Sequence, residues 1–145
     1  MTDLYFDTAY VCKCYLNEPD SAEVREQVTG ARAIATSSLC IAEFACTIHR
    51  SFCDGVLSAK ATNTLRHQFA EDVETATWTL LPVTKRVLWR VEMLIQHLPR
   101  SAFLRAGDSI HLASAIEAGF DEIWTNDRHL LAAARHFGLR GRSVR

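Results

Sequence analysis

Short runs of apolar residues alternate along this chain with longer segments whose apolar residues recur at helical spacing. The alternation limits the fold more than any other feature, because parallel strands must be joined by crossovers, which are usually helices. The apolar runs predict strands at DLYFD (3–7), RAIATSS (32–38), WTLLPV (78–83), EIWTN (122–126) and, at an edge, LRGRSV (139–144). The sequence therefore predicts an α/β fold with a short, mostly parallel sheet and helices on both faces.

The segments between these runs predict helices. Most of them end at glycine or proline, which are typical helix terminators. The predicted helices cover residues 8–19, 21–30, 39–55, 57–77, 84–99, 106–119 and 127–138. No repeat, low-complexity tract or linker separates them, so we expect residues 1–145 to form a single domain.

Other features indicate an ordinary cytoplasmic protein. No basic, apolar leader opens the chain, and no apolar run approaches the ~20 residues of a membrane span. The five cysteines lack the spacing of a zinc site or a disulfide framework, so we expect them to be reduced and mostly packed in the interior. The three tryptophans are also expected in the core. A groove between the helices at 57–77 and 84–99 is a candidate docking or dimer face.

Charge is distributed unevenly along the chain. Residues 1–127 contain eleven basic and all seventeen acidic residues, whereas residues 128–145 contain five arginines and no acid. A basic tail on an acidic body is compatible with binding a polyanion. It is equally compatible with a solvated helix face and a frayed terminus.

Four acidic residues occupy comparable places in the predicted fold. Asp7 ends the first strand, and Glu43 lies in the first turns of the helix after the second strand. Asp108 lies at the start of the helix at 106–119, and Asp127 follows the strand EIWTN. Singly, each Asp could be a helix cap or a first-turn acid. Glu43 has apolar neighbours on both sides, and its ordinary explanation is a partner arginine across the core.

Together these acids predict a metal site. Parallel strands bring their carboxyl ends to one edge of the sheet, so the four carboxylates should converge. Two like charges ~4 Å apart repel by about 4 kcal/mol at an effective dielectric near 20. No cluster of lysines or arginines falls at the same strand ends. A divalent cation would relieve the repulsion, and all-oxygen ligands favour Mg²⁺ or Mn²⁺ and metal-assisted phosphodiester hydrolysis.

Four segments in succession resemble the motifs of a known family. They are YFDTAYVCKCYLNEPDS, SSLCIAEF, RAGDSIHLASAIEAG and IWTNDRHLLAAARHFGL. They are similar to PIN domains, and most of all to the VapC-type ribonuclease toxins of bacterial and archaeal toxin–antitoxin pairs. The resemblance implies a Rossmann-like sheet and a Mg²⁺-dependent endoribonuclease in which Mn²⁺ can substitute. It also implies a homodimer, and inhibition by a small VapB-like antitoxin whose tail enters the active-site groove.

The resemblance also assigns roles to residues. It implies that Asp7, Glu43, Asp108 and Asp127 are the catalytic and metal-binding acids. Polar residues expected to support them are Thr8, Ser38, Thr125 and Asn126. Many relatives have Ser or Asn where this chain has Ala9, and this difference removes one possible hydrogen bond to a carboxylate or phosphate.

Three alternatives remain open at this stage. A catalytically weak regulator could keep the fold and bind nucleic acid through its Arg-rich tail. A DNA or flap nuclease would usually need inserts for which 145 residues leave little room. His111, three residues after Asp108, could be a metal ligand on the same helix face, or a neutral imidazole that bonds to backbone or to a neighbouring helix.

Overall fold

The computed structural model of the chain describes residues 1–145. Its strands are β1 (Asp3–Tyr5), β2 (Ala33–Ser37), β3 (Trp78–Leu81), β4 (Glu122–Trp124) and β5 (Arg140–Arg142). Its helices are α1 (Thr8–Lys13), α2 (Ser21–Gly30), α3 (Cys40–Cys53), α4 (Ala59–Glu74), α5 (Lys85–His97), α6 (Ala106–Glu117) and α7 (Arg128–Ala134), with a 3₁₀ turn at Arg135–Phe137. No helix combines the length and the hydrophobicity that a membrane span requires.

All paired strands are parallel. β1, β2 and β3 form one sheet in that order, and β4 pairs with β5. A single bridge between Phe6 and Trp124 joins the two sheets, and the amide of Asp7 donates to the carbonyl of Trp124 over 3.2 Å. The strands thus lie in the order β3, β2, β1, β4, β5, and the direction of winding changes at β1. The predicted parallel α/β fold is confirmed, and its ligand crevice is expected beyond β1.

Helices cover both faces of this sheet. Neighbouring residues of a strand point to opposite faces, so they contribute to two different core clusters. Phe6 and Ile34 pack into one core cluster with residues of α1, α2, α3 and α4. Tyr5 and Ala35 pack into a second cluster with residues of α5, α6 and α7. α4 and α5 therefore belong to different cores, so the expectation of a groove between these two helices is wrong.

The first helix is much shorter than predicted. It ends at Lys13, not at Pro19. The Lys13 side chain is buried, and its ammonium donates to the carbonyl of Pro19 over 3.0 Å and lies 3.5 Å from Glu18. A proline sets the latest point at which a helix can end, but the helix can end earlier. The buried ammonium of Lys13 needs a carbonyl acceptor, and the loop after α1 provides one.

One tryptophan is not in the core. Trp78 and Trp124 are buried as expected, but Trp89 is 60% exposed. It lies on α5 beside two further exposed apolar residues, Leu88 and Met93. We call these three residues the α5 apolar face. Helical periodicity identifies such a face, but it does not say whether this chain or another one covers it.

The cysteines divide by accessibility. Cys12 and Cys40 are buried, Cys14 is half-buried, and Cys46 and Cys53 are exposed. Burial raises the pKa of Cys14 and of Cys40 to about 12, so these thiols stay protonated and unreactive.

We therefore predict that two thiols of the native protein react rapidly with 5,5′-dithiobis(2-nitrobenzoic acid). All five should react after unfolding. The control is the double variant Cys46→Ser/Cys53→Ser, which should lose the rapid phase and keep its circular dichroism spectrum. A third rapid thiol in the native protein would contradict the packing described for α1 and α3.

Candidate functional site

Asp7 lies directly after β1, at the point where the winding direction changes. Its side chain caps α1: Oδ1 accepts from the amide of Tyr10 at 2.9 Å. Oδ2 accepts from the hydroxyl of Thr125, on the far side of the junction with β4. The residue is only 6% exposed. Burial raises the pKa of Asp7, although the hydrogen bond from Thr125 opposes the rise, so its charge is poorly compensated.

Glu43 projects from the first turns of α3. Its Oε1 accepts from the hydroxyl of Thr8 at 2.7 Å and lies 2.8 Å from Nε2 of His111. Burial alone would raise the pKa of Glu43, but the hydrogen bonds from His111 and Thr8 outweigh it and hold the pKa below its usual value. The arginine partner expected for Glu43 is absent, and His111 takes that place.

Asp108 and Asp127 approach the same region from α6 and α7. Asp127 caps α7, and its Oδ1 accepts from the amides of His129 and Leu130, both at 2.9 Å. Burial and then the charge of Asp127 raise the pKa of Asp108. The guanidinium of Arg105 is 3.9 Å from Asp108, but that arginine side chain is 74% exposed, so it compensates little.

The four acids line one pocket of about 280 Å³. Asp7 comes from the end of β1, Glu43 from a helix on one face of the sheet and Asp108 from a helix on the other. Asp127 comes from the turn after β4. We call this the acidic pocket. It brings together the four acids that the sequence predicts at the carboxyl edge of the sheet, and a fifth acid, Glu18 from the loop after α1, also lines it.

The four polar residues predicted to support the acids have different hydrogen-bond partners. The hydroxyl of Thr8 donates to Glu43, and the hydroxyl of Thr125 donates to Asp7. The hydroxyl of Ser38 instead accepts from the amide of Val83 at 3.1 Å, and Asn126 accepts from the hydroxyl of Tyr10 at 2.8 Å. Neither Ser38 nor Asn126 contacts an acid of the pocket.

The sequence identifies His111 as a candidate metal ligand or an imidazole bonded to a neighbouring helix, but it does not predict the contacts of His111 with Tyr5 and Glu43. It lies on α6 and is buried, at 2% exposure. The only signal in the sequence is a titratable side chain between Ile110 and Leu112 in the largely apolar segment around α6. Such a residue needs a buried partner, but the sequence does not indicate which one.

The donor set fits a divalent cation in its chemistry. The pocket offers carboxylate oxygens, the ligands preferred by Mg²⁺ and Mn²⁺, and no basic side chain lines it other than His111. Burial and, after it, the charge of Asp127 raise the pKa of Asp108, and a cation would stabilise the ionised carboxylate against both. As the side chains lie, no group of three or more acidic, His or Cys residues is arranged to hold one ion. Binding of a cation therefore requires rotation of side chains. Neither Oε2 of Glu43 nor the Asp108 carboxylate accepts a hydrogen bond that would oppose such a rotation.

Comparisons with known proteins agree with this architecture. A family model described as the PIN domain matches residues 4–136. No curated protein matches the chain significantly.

Solved structures of similar fold come from several bacteria. VapBC2 from Rickettsia felis, bound to a DNA fragment from its promoter, is 16% identical with a TM-score of 0.67, covering 99% of this chain and 98% of that chain. FitAcB from Neisseria gonorrhoeae is 15% identical with a TM-score of 0.66, covering 97% and 96%. VapC20 from Mycobacterium tuberculosis, described as a Sarcin-Ricin loop cleaving toxin, is 14% identical with a TM-score of 0.69, covering 90% and 94%. At such identities the likeness shows the fold alone.

The repulsion in the acidic pocket generates a prediction about stability. In metal-free buffer at pH 7, Asp108→Asn should raise the melting temperature, because it removes a charge whose ionisation the folded state disfavours. A rise of up to about 3 °C corresponds to ~1 kcal/mol for a chain of this size. Added Mn²⁺ should raise the melting temperature of the wild-type protein more than that of the variant.

Differential scanning calorimetry measures both effects. Glu26→Gln is the matched control, because Glu26 is an exposed acid in the middle of α2 with no side-chain partner. It should change neither the melting temperature nor the response to Mn²⁺. A fall in melting temperature for Asp108→Asn would show that the Asp108 charge is already compensated.

Proposed function

The chain belongs to the PIN-domain family, and on that premise we propose that it is a metal-dependent endoribonuclease. We further propose that it is the VapC-type toxin of a type II toxin–antitoxin pair. The observation that carries the proposal is the convergence of Asp7, Glu43, Asp108 and Asp127 in one pocket at the carboxyl edge of the sheet. Clustered carboxylates serve hydrolysis of a phosphodiester bond, whereas they would weaken a protein that only binds nucleic acid.

The four acids would hold Mg²⁺, for which Mn²⁺ can substitute, and the ion would activate a water and shield charge on the scissile phosphate. Asp7 is the most firmly held donor, since the Tyr10 amide and the Thr125 hydroxyl fix its two oxygens. Glu43 is held at one oxygen only. No side chain of the pocket is assigned as a nucleophile, so the attacking group is water.

The surroundings of the pocket suit an extended polyanion. Thr47 lines the acidic pocket and also two further cavities of about 850 and 660 Å³, so the three lie next to one another. Arg50 lines both larger cavities, Lys60 lines the first and Arg105 lines the second. Basic side chains on either side of an acidic centre can hold a phosphate backbone across it. RNA is therefore the proposed substrate.

The structural neighbours support the toxin–antitoxin assignment. One is described as a cleaving toxin, and others were solved as VapBC2 or FitAB with DNA. By analogy, we propose that a small VapB-like antitoxin binds this chain.

A catalytically weak regulator is the second candidate, and the structure offers it little support. Three of the five tail arginines on which it depends have partners within the molecule. Arg140 lies 3.1 Å from Glu122, and Arg145 lies 2.6 Å from Asp20. The guanidinium of Arg142 lies over the ring of Trp124, 5.5 Å from its centroid. The tail is folded against the domain and presents fewer free cations than the sequence indicates.

The α5 apolar face supports the proposed homodimer. Leu88, Trp89 and Met93 lie at spacings of one, four and five residues, which places them on one side of a helix. Exposed aromatic and Met side chains of this kind are typical of protein interfaces. A second copy of the chain would bury them.

The nuclease proposal predicts metal-dependent cleavage of mixed cellular RNA. Cuts should form with Mg²⁺ or Mn²⁺ and disappear with EDTA. Asp108→Asn should lower the rate by about a hundredfold or more, equivalent to ~3 kcal/mol of transition-state stabilisation. Glu26→Gln should cleave like the wild-type protein. RNA binding without cleavage that ignores EDTA and collapses with salt would favour the regulator instead.

The dimer proposal predicts a concentration-dependent mass. Sedimentation equilibrium at tens of micromolar should give about twice the 16.3 kDa of one chain. Trp89→Glu should shift the protein to the monomer without loss of helical signal, because the side chain packs against nothing in its own core. Val56→Glu, at another exposed apolar residue, is the control and should remain dimeric. A monomeric wild-type protein under these conditions would refute the dimer.

A further inference from the structure

A buried hydrogen-bonded pair, Tyr5 and His111, lies behind Glu43, and neither residue is one of the four acids proposed to hold the metal. We propose that Tyr5 and His111 are positioning residues: they hold one oxygen of Glu43 in place and leave the other oxygen free to bind a cation. Gly107 completes the arrangement by leaving space for that free oxygen. The inference rests on the proposed function, since it concerns how Glu43 is presented to the same site.

The pair connects three elements of the fold. Tyr5 on β1 is fully buried, and its hydroxyl lies 2.9 Å from Nδ1 of His111 on α6. On the other side of the ring, Nε2 lies 2.8 Å from Oε1 of Glu43 on α3. The Tyr5 and His111 rings also meet edge to face, at 5.9 Å and 75°. The imidazole is therefore fixed at both nitrogens and by its ring contact.

The direction of these hydrogen bonds follows from the partners. Oε1 of Glu43 already accepts a hydrogen bond from the hydroxyl of Thr8 and is the acceptor that faces Nε2 of His111. Nε2 must therefore carry a hydrogen, whether the ring is neutral or charged. On the other side of the ring, the hydroxyl of Tyr5 is the group that faces Nδ1, and a phenol hydroxyl can donate its hydrogen there. In the neutral ring that proton is donated to Nδ1, and the bonds run from Tyr5 through His111 to Glu43.

Both oxygens of Glu43 have a defined environment. Oε1 receives a second hydrogen bond, from the hydroxyl of Thr8 at 2.7 Å. Oε2 lies so close to Gly107 that a Cβ built there would be 2.9 Å from it. Oε1 is thus taken up by protein donors, while Oε2 accepts no hydrogen bond and lies beside Gly107, which lines the adjoining cavity of about 660 Å³ together with Glu43 and Asp108.

Gly107 is an independent observation. It lies in the first turn of α6 and is not among the residues with positive φ, so its backbone conformation is open to any residue. Glycine destabilises helices relative to alanine, and nothing in the local backbone requires it here. The closest contact of a built Cβ is Oε2 of Glu43. Space for that oxygen explains the glycine.

The arrangement also bears on His111 as a metal ligand. Both ring nitrogens already bond to protein groups: Nδ1 faces the Tyr5 hydroxyl, and Nε2 carries a hydrogen and lies 2.8 Å from Oε1 of Glu43 and 3.0 Å from the Thr8 hydroxyl. A metal ligand needs a free lone pair. His111 therefore acts through Glu43, as partners of metal-binding carboxylates do elsewhere.

The test uses Mn²⁺ itself as the probe, with free Mn²⁺ measured by electron paramagnetic resonance during titration of the full chain. His111→Leu should weaken Mn²⁺ binding about 10- to 100-fold, the range typical for loss of such partners. His111→Gln keeps an amide donor near the position of Nε2 and should recover most of the affinity. A role in packing alone would predict no such rescue.

Gly107→Ala covers the case in which His111→Leu fails to fold. It should fold as stably as the wild-type protein or more so, yet bind Mn²⁺ about tenfold or more weakly, because the new Cβ displaces Oε2. Gly30→Ala is the matched control, since it lies at the end of α2 with no atom within 4 Å of the built Cβ. It should leave Mn²⁺ binding unchanged.

Two outcomes separate the proposals. If Glu43→Gln loses Mn²⁺ affinity while His111→Leu and Gly107→Ala keep it, Glu43 serves the site without this support, and the positioning proposal is overturned alone. If Glu43→Gln and Asp108→Asn both bind Mn²⁺ as the wild-type protein does, the acidic pocket is not the metal site. The proposed function then fails, and the positioning proposal fails with it.

Discussion

The burial of Asp7 is the constraint on which the rest of the structure depends. A three-residue strand delivers this carboxylate to the junction between two sheets, where it is almost fully removed from water. A buried charge is costly unless hydrogen bonds or a cation compensate it. The cap on α1 and the bond from Thr125 supply part of the compensation, and they fix how α1 leaves β1 and how β4 approaches it. The same two bonds therefore stabilise the fold and orient a candidate ligand.

The packing of helices on both faces determines what reaches Asp7. α3 belongs to one core and α6 to the other, and each brings an acid to the same edge of the sheet from its own side. This placement of Glu43 and Asp108 does not require α3 and α6 to pack against each other along their lengths. His111 connects the elements directly. It lies on α6, and its two ring nitrogens hydrogen-bond to Tyr5 on β1 and to the carboxylate of Glu43 on α3.

The sequence predicts the architecture well because its signals are local. Strand runs, helical periodicity and terminating glycines give the five strands and seven helices, and strand ends give the places of Asp7, Glu43, Asp108 and Asp127. The sequence is a poorer guide to features that depend on a residue far away along the chain. Nothing local to Lys13 indicates that α1 stops there, or that Trp89 is left outside the core. The partner of Glu43 is 68 residues away, and only the folded chain shows that it is His111.

The junction of the two sheets has a consequence for local motion. β1 and β4 are joined by the single bridge between Phe6 and Trp124, which includes the bond from the Asp7 amide to the Trp124 carbonyl, and by the side-chain bond from Thr125 to Asp7. A junction with so few bonds is a natural place for partial opening, which would move Asp127 and the β4–β5 unit away from Asp7. A ligand held by acids from both sides would oppose that opening and slow amide hydrogen exchange across the junction. Occupancy of the pocket and cohesion of the two sheets would then be linked.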